Sequence, residues 1–459
     1  MESSAPRAEL VDAMAALWST PKIEHDLYQA PAFRRLRETC ATLFPDSGSA
    51  STLDFALARA LRALACPATD PVPGHMPMPA EEAALRLTLA FGQTDVERIH
   101  LAPLDMAGDF PRIAFGPAEA GHFPFGELRR LLEGPAGPRG RPSGLDARHL
   151  CQFRWLVVRE VNPVSTPGIQ RRALPELSLN MNEDFGRIVP HAKSRPDVVE
   201  AALFALLLLP WEDHDTDHNP EYRVFQIPWI YTVEHDLFGR TASTPDTQAL
   251  TEFDEAIRDD DGNTIGSVLR PYVIHLDESV GPMAASLDQT AWDDLQAALS
   301  HPLFAGPVAH FFVRAFFSDP IDEFMGHAMT LEAALGSSID HDNKARRSFG
   351  KDGNPGATVR LSARLTALLD PDAGETYEQL FELRSQYVHG RTMGDIPSTA
   401  RHQARVLARR GVTALVNRAL QPSDLSREDH LDALLCAGIG PVLARREAAR
   451  TARRDDHQI

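Results

Sequence analysis

In this chain of 459 residues, the types and spacing best suited to chemistry lie in Leu380-Phe-Glu-Leu-Arg-Ser-Gln-Tyr-Val-His-Gly390. Tyr377, Leu380, Phe381, Tyr387 and Val388 share one helical phase, and Arg384 falls in the middle of that face. A guanidinium there is costly unless it is paired or opens onto a site. His389 follows five residues later, where the end of a helix favours the protonated ring. An arginine that holds a phosphate and a histidine that moves a proton are the minimum set for cleaving RNA without metal. Spacing alone carries nothing, since 42 Arg and 18 His make about five such pairs expected by chance. Context separates the three that occur. Arg270/His275 precedes Pro271 in a strand-like run, and Arg450/His457 lies at the chain end. Only Arg384/His389 combines an apolar helical stripe with a terminating glycine.

A second candidate is the acidic knot Trp211-Glu-Asp-His-Asp-Thr-Asp-His218. On a helix, His214 and His218 at i,i+4 would aim two imidazoles at one metal. The knot sits between Pro210 and Asn219-Pro220, so a loop is expected and the metal reading is the weaker alternative. Asp259-Asp-Asp-Gly-Asn263 resembles the opening of a calcium loop. Its Gly262 comes fourth instead of sixth and Arg270 stands where the closing Glu belongs, so a β-turn is expected. Phosphate-loop, dinucleotide-fold and nucleophile-elbow motifs do not occur, and no cofactor is expected.

The elements that must position Arg384 and His389 are helical. Ser318-Asp319-Pro320 opens a helix that Gly336 stops. Thr376-x-x-Gln379 reads as a capping box, with Gly390 as the C-terminal stop. Further helices are expected over 398–420, 426–437 and 441–453. Upstream, residues 1–135 read as mostly helical, with helices over 51–65 and 81–91. The Pro/Gly run 134–144 is a linker candidate. Residues 145–300 read as an α+β domain: strands over 151–161 and 173–181, a helix over 197–209, and strand-rich stretches over 223–238 and 264–276. The expected class is therefore α+β overall, with 301–459 an all-α bundle preceded by a mixed α/β region.

Hydrophobic content of 43% and charged content of 24% exclude a disordered or fibrous chain. The longest apolar run is far short of the ~20 residues a membrane helix needs. The first residues lack a secretory layout, so a soluble, cytoplasmic protein is expected. Cys40, Cys66, Cys151 and Cys436 are scattered and suggest neither a disulfide framework nor a zinc site. The net charge is −18, yet residues 301–459 carry as many basic as acidic groups, so the excess lies upstream. The last third can meet a polyanion; the first two-thirds would repel one. That 42 of 46 basic residues are Arg reads most simply as compositional bias.

Residues ~305–440 resemble the HEPN superfamily of helical domains, most closely its Apea-like group. The resemblance rests on Met329-Thr-Leu-Glu-Ala-Ala-Leu-Gly336, on Arg360-Leu-Ser-Ala-Arg-Leu-Thr-Ala-Leu-Leu369 and on Leu383-Arg-Ser-Gln-Tyr-Val-His-Gly390. It implies that Arg384 and His389 are a ribonuclease pair, with Ser385, Tyr387 and Glu332 as supporting positions. It implies RNA as substrate, homodimerisation through the C-terminal domain, and a defence or toxin-like role. Residues 1–300 would then sense a regulatory protein or a phage-derived trigger. Catalytic members often carry Asn, Asp or His where this chain has Ser385. A non-catalytic module that binds nucleotide, RNA or a protein partner therefore stands as the alternative.

Overall fold

The computed structural model describes residues 7–23, 26–45, 49–69, 78–133, 145–164, 195–217, 225–239, 243–304, 307–342, 348–349, 354–388 and 395–456, with side chains to 451. It is mixed α+β, with the helices concentrated toward the C-terminus. The chain divides into two units, each assembled from separated stretches. One takes Met1–Asp105, Pro117–Val189 and Ile227–Tyr272; the other takes Met106–Gly116, Pro190–Gln226 and Val273–Ile459. This replaces the expected division at 135–145 and 300. The reason is pairing and packing between segments far apart in sequence.

In the first unit, α1 (Ala8–Trp18), α2 (Pro31–Leu43), α3 (Ala50–Ala63) and α4 (Ala80–Phe91) bring their apolar stripes together. Pro31 opens α2, and Ser49 caps α3 by accepting from the Thr52 N–H. Leu10, Leu17, Phe33, Leu36, Leu57, Leu61, Leu87 and Phe238 form the shared core. Each such buried side chain stabilises by roughly 1.5–3 kcal/mol. Burial pushes the Cys40 thiol up to about 12 and the Cys66 thiol up to about 11, so both act as small apolar residues.

Helices predominate among the described residues of 1–135, with one unexpected long strand, β1 (Asp95–Leu104). This strand pairs antiparallel along its whole length with β4 (Arg154–Pro163) and, on its other edge, with β5 (Tyr231–Glu234). A short strand β2 (Ile113–Phe115) falls in the second unit, while β3 (Ala118–His122) pairs with β4 in the first. Glu97 and Arg98 hide the strand in the sequence, because each is neutralised across a strand boundary. Arg159 Nη1 stands 3.4 Å from Glu97, and Arg98 Nε stands 2.7 Å from Glu234. Ile99, Leu101, Trp155, Val157, Tyr231 and Val233 alternate onto one face. There they pack on α5 (Phe125–Glu133) and α6 (Ala147–Leu150). The expected linker 134–144 and strand 173–181 lie outside the described residues.

The β6 (Glu252–Arg258) and β7 (Thr264–Pro271) hairpin closes through Asp259–Asn263, a turn as expected. The Asp259 carboxylate accepts from the Asp261 and Asn263 N–H groups, and Gly262 takes φ +83°, which favours glycine.

The second unit contains α7 (Asp197–Leu208), α8 (Val280–Ala285), α9 (Gln289–Leu299), α10 (Val308–Phe316), α11 (Pro320–Leu335) and α12 (Ala357–Leu368). It continues with α13 (Pro371–Val388), α14 (Ser398–Ala419) and α15 (Arg427–Asp456). Among the described residues of 301–459 every regular element is helical. Three local expectations are revised. First, α7 belongs here and not to a middle domain, because its apolar residues point all round and need cover on every side. Second, α13 begins at Pro371, with the Asp370 carboxylate accepting from the Ala373 N–H. Thr376 is interior, its hydroxyl bonded to the Asp372 carbonyl. Third, α15 runs straight through Pro441. There Gly438 lies so close to the Ala363 carbonyl of α12 that a Cβ would sit 1.8 Å from it. Packing on α12 outweighs the roughly 3 kcal/mol that proline costs in a helix.

Candidate functional site

Arg384 sits in the last two turns of α13, where burial gives way to exposure. Tyr377 and Leu380 are buried, Phe381, Ser385 and Tyr387 are half-buried, and Val388 is exposed. The Arg384 Nη1 lies 3.6 Å from Glu332 Oε1 of α11, within ion-pair reach but beyond a good hydrogen bond. The two side chains keep 26% and 33% of their surface. The Arg384 Nε is buried without a hydrogen-bond partner among the described residues, and the guanidinium lies 5.7 Å from the Phe381 ring centroid. Burial pushes the Glu332 carboxyl above the usual carboxylate range; Arg384 and His341 pull it back. Burial, with Glu332 nearby, also pushes the Tyr377 phenol up, so it stays protonated. The result is a guanidinium with one long contact, an unsatisfied edge and an opening to solvent.

Of the residues singled out in the sequence, the structure brings Arg384 and Glu332 together and places Ser385 and Tyr387 on the same final turns. His389 and Gly390 lie outside the described residues; α13 is described to Val388, the residue before His389.

The acidic knot has a different task. Its first residues form a 3-10 turn, Trp211–His214, and His218 lies outside the described residues. The His214 Nδ1 meets Ser279 Oγ at 2.8 Å and Asp277 Oδ1 at 3.3 Å. No cluster of three or more His, Cys, Asp or Glu suited to a metal occurs among the described residues.

Glu212 turns inward and meets two arginines of α14. Arg409 Nη1 donates to it, and Arg405 Nε lies 3.5 Å away. Arg405 Nη1 also donates to Glu323 of α11 at 3.1 Å, and Arg401 reaches the same carboxylate at 3.5 Å. Arg409 Nε donates to the Leu207 carbonyl at 2.9 Å, which ties α7 to α14. A separate buried pair joins Arg364 of α12 to Asp340, with Nη2 at 3.0 Å from Oδ1. These four buried arginines on α12 and α14 are each matched by a carboxylate, so their positions serve the packing of the unit. The signal available in the sequence was the i, i+4, i+8 spacing of Arg401, Arg405 and Arg409.

No family model matches this chain, and no curated protein or solved structure matches it.

Proposed function

We propose that the chain is a metal-independent endoribonuclease of HEPN type, with Arg384 and His389 as its working pair. The observation that carries this reading is the half-exposed Arg384 guanidinium, whose buried Nε has no partner among the described residues, in the helix end that leads into His389. Donors left unsatisfied on a charged, planar fork favour a phosphate. The RNA 2′-oxygen attacks the adjacent phosphorus and the bond to the 5′-oxygen breaks. A 2′,3′-cyclic phosphate and a 5′-hydroxyl result. His389 takes the proton from the 2′-hydroxyl or returns one to the leaving oxygen, and Arg384 stabilises the charge on the phosphorane. Ser385, Tyr387 and Glu332 support that site. The test is incubation with total RNA in EDTA, followed by analysis of fragment ends. Cleavage should persist under chelation and in His214→Ala. Loss under EDTA with rescue by zinc or manganese would move the chemistry to the acidic knot.

The Glu332 contact favours a second reading, a module that binds nucleotide, RNA or a partner protein without cutting. Binding that depends on Arg384 but leaves RNA intact would select it.

The working partner besides RNA is a second copy of the chain. On α11, Met329 and Ile321 are exposed, as is Val388 on α13; Met329 lies one turn before Glu332 and Val388 one turn after Arg384. A homodimer through this face would cover them and set two sites side by side. Sedimentation velocity should show a two-chain species that Val388→Asp with Met329→Asp converts to one chain. An unchanged mass in the double variant removes this interface. No helix among the described residues is long and apolar enough to cross a membrane. A defence or toxin-like role in the cytoplasm, with the upstream residues answering a regulatory protein or phage-derived trigger, completes the reading.

A further inference from the structure

Hairpin β6–β7 leaves its own apolar side chains uncovered. Phe253, Ile257, Ile265 and Leu269 are between 45% and 66% exposed. Phe253 and Ile257 stand on one face, opposite Arg270 and Gly266, while Leu269 stands on the other, opposite Asp254. Neither strand pairs with a third among the described residues. A lone two-stranded ribbon is marginally stable in water, and bare strand edges are templates for another strand.

Charge decides what fits. The segment 252–271 carries six carboxylates against two arginines, and Arg270 already meets Glu255 at 2.8 Å. Backbone and side-chain hydrogen bonds from Asn263 hold the Asp259 carboxyl below its usual range. An RNA strand would be repelled, and so would the same hairpin of a second copy. An extended segment with alternating basic and apolar residues meets neither obstacle. Its apolar side chains would cover Phe253 and Ile257, its cations would face the carboxylates, and its backbone would satisfy an open edge.

We propose that hairpin β6–β7 is a docking edge for a basic, extended segment of a partner protein, which adds to it as a third strand. This stands independently of the RNA reading.

The test uses the full chain and two fluorescent peptides, one alternating lysine with valine and one alternating glutamate with valine, followed by anisotropy. The lysine peptide should bind and weaken as salt rises, while the glutamate peptide should not bind. Phe253→Asn with Ile257→Asn, which removes the apolar cover without adding charge, should weaken the lysine peptide on the order of tenfold. Both positions are exposed, so the circular dichroism spectrum should be unchanged. Asp254→Lys with Asp261→Lys leaves four acidic and four basic groups in the segment, so the preference for the lysine peptide should be lost. No binding of the lysine peptide, or equal binding of both peptides untouched by the charge reversal, would overturn the proposal. So would self-association lost in the Phe253/Ile257 variant, which would assign the face to a second copy. RNA binding lost in that variant would overturn it in favour of RNA.

Discussion

His389→Ala is expected to lower RNA cleavage by about 10²–10⁴-fold, the usual worth of a general acid–base group. Its melting curve should match that of the unsubstituted chain, since the neighbouring Val388 is exposed. Arg384→Lys should lose as much as Arg384→Ala, because an ammonium lacks the planar fork that grips two phosphate oxygens. The combined variant should be scarcely worse than either single one, as expected of residues that act as a unit. Folding is the control that matters for Arg384, which contacts Glu332 and lies over Phe381. His389→Ala with normal melting and undiminished cleavage would eliminate the pair as the catalytic centre. Intact RNA throughout, with binding that still requires Arg384, would leave the non-catalytic module.

Asp340→Ala should lower unfolding stability by about 3–5 kcal/mol, read from denaturant titration. Asp340 is buried and accepts from both Nη atoms of Arg364, with Arg360 Nη1 at 3.9 Å. Removing the carboxylate strands a buried guanidinium between α12 and the turn after α11. Arg364 also donates to the Leu335 and Leu431 carbonyls, which hold it in place and prevent its escape to solvent. Replacing Arg364 and Asp340 together by apolar residues of similar volume should restore much of the loss, because the isolated charge, and not the missing attraction, is the larger penalty. A loss below about 1 kcal/mol in Asp340→Ala would mean that water reaches the pair.

The helix that carries Arg384 was legible because its signals are local. Apolar spacing over 377–388 and proline and glycine punctuation depend on neighbours a few positions away. They placed α3, α4, α7, α11 and α14 within a residue or two of their observed ends. They also placed the turn at Asp259–Asn263. The start of α13 was misplaced because Thr376 and Gln379 mimic a cap, while Asp370 and Pro371 supply the real one.

What the sequence by itself determined is therefore the backbone's local preference and the residue types offered for chemistry. Only the tertiary structure decided which of those preferences were overruled and which charges met. Strand β1 exists because β4 and β5 flank it, and α15 passes through Pro441 because α12 packs against Gly438. Glu332 comes to Arg384 from another helix. Arg405 finds Glu323 across 82 positions and Arg409 finds Glu212 across 197. No local pattern encodes such partners, because the energy of a buried charge is set by what surrounds it in space.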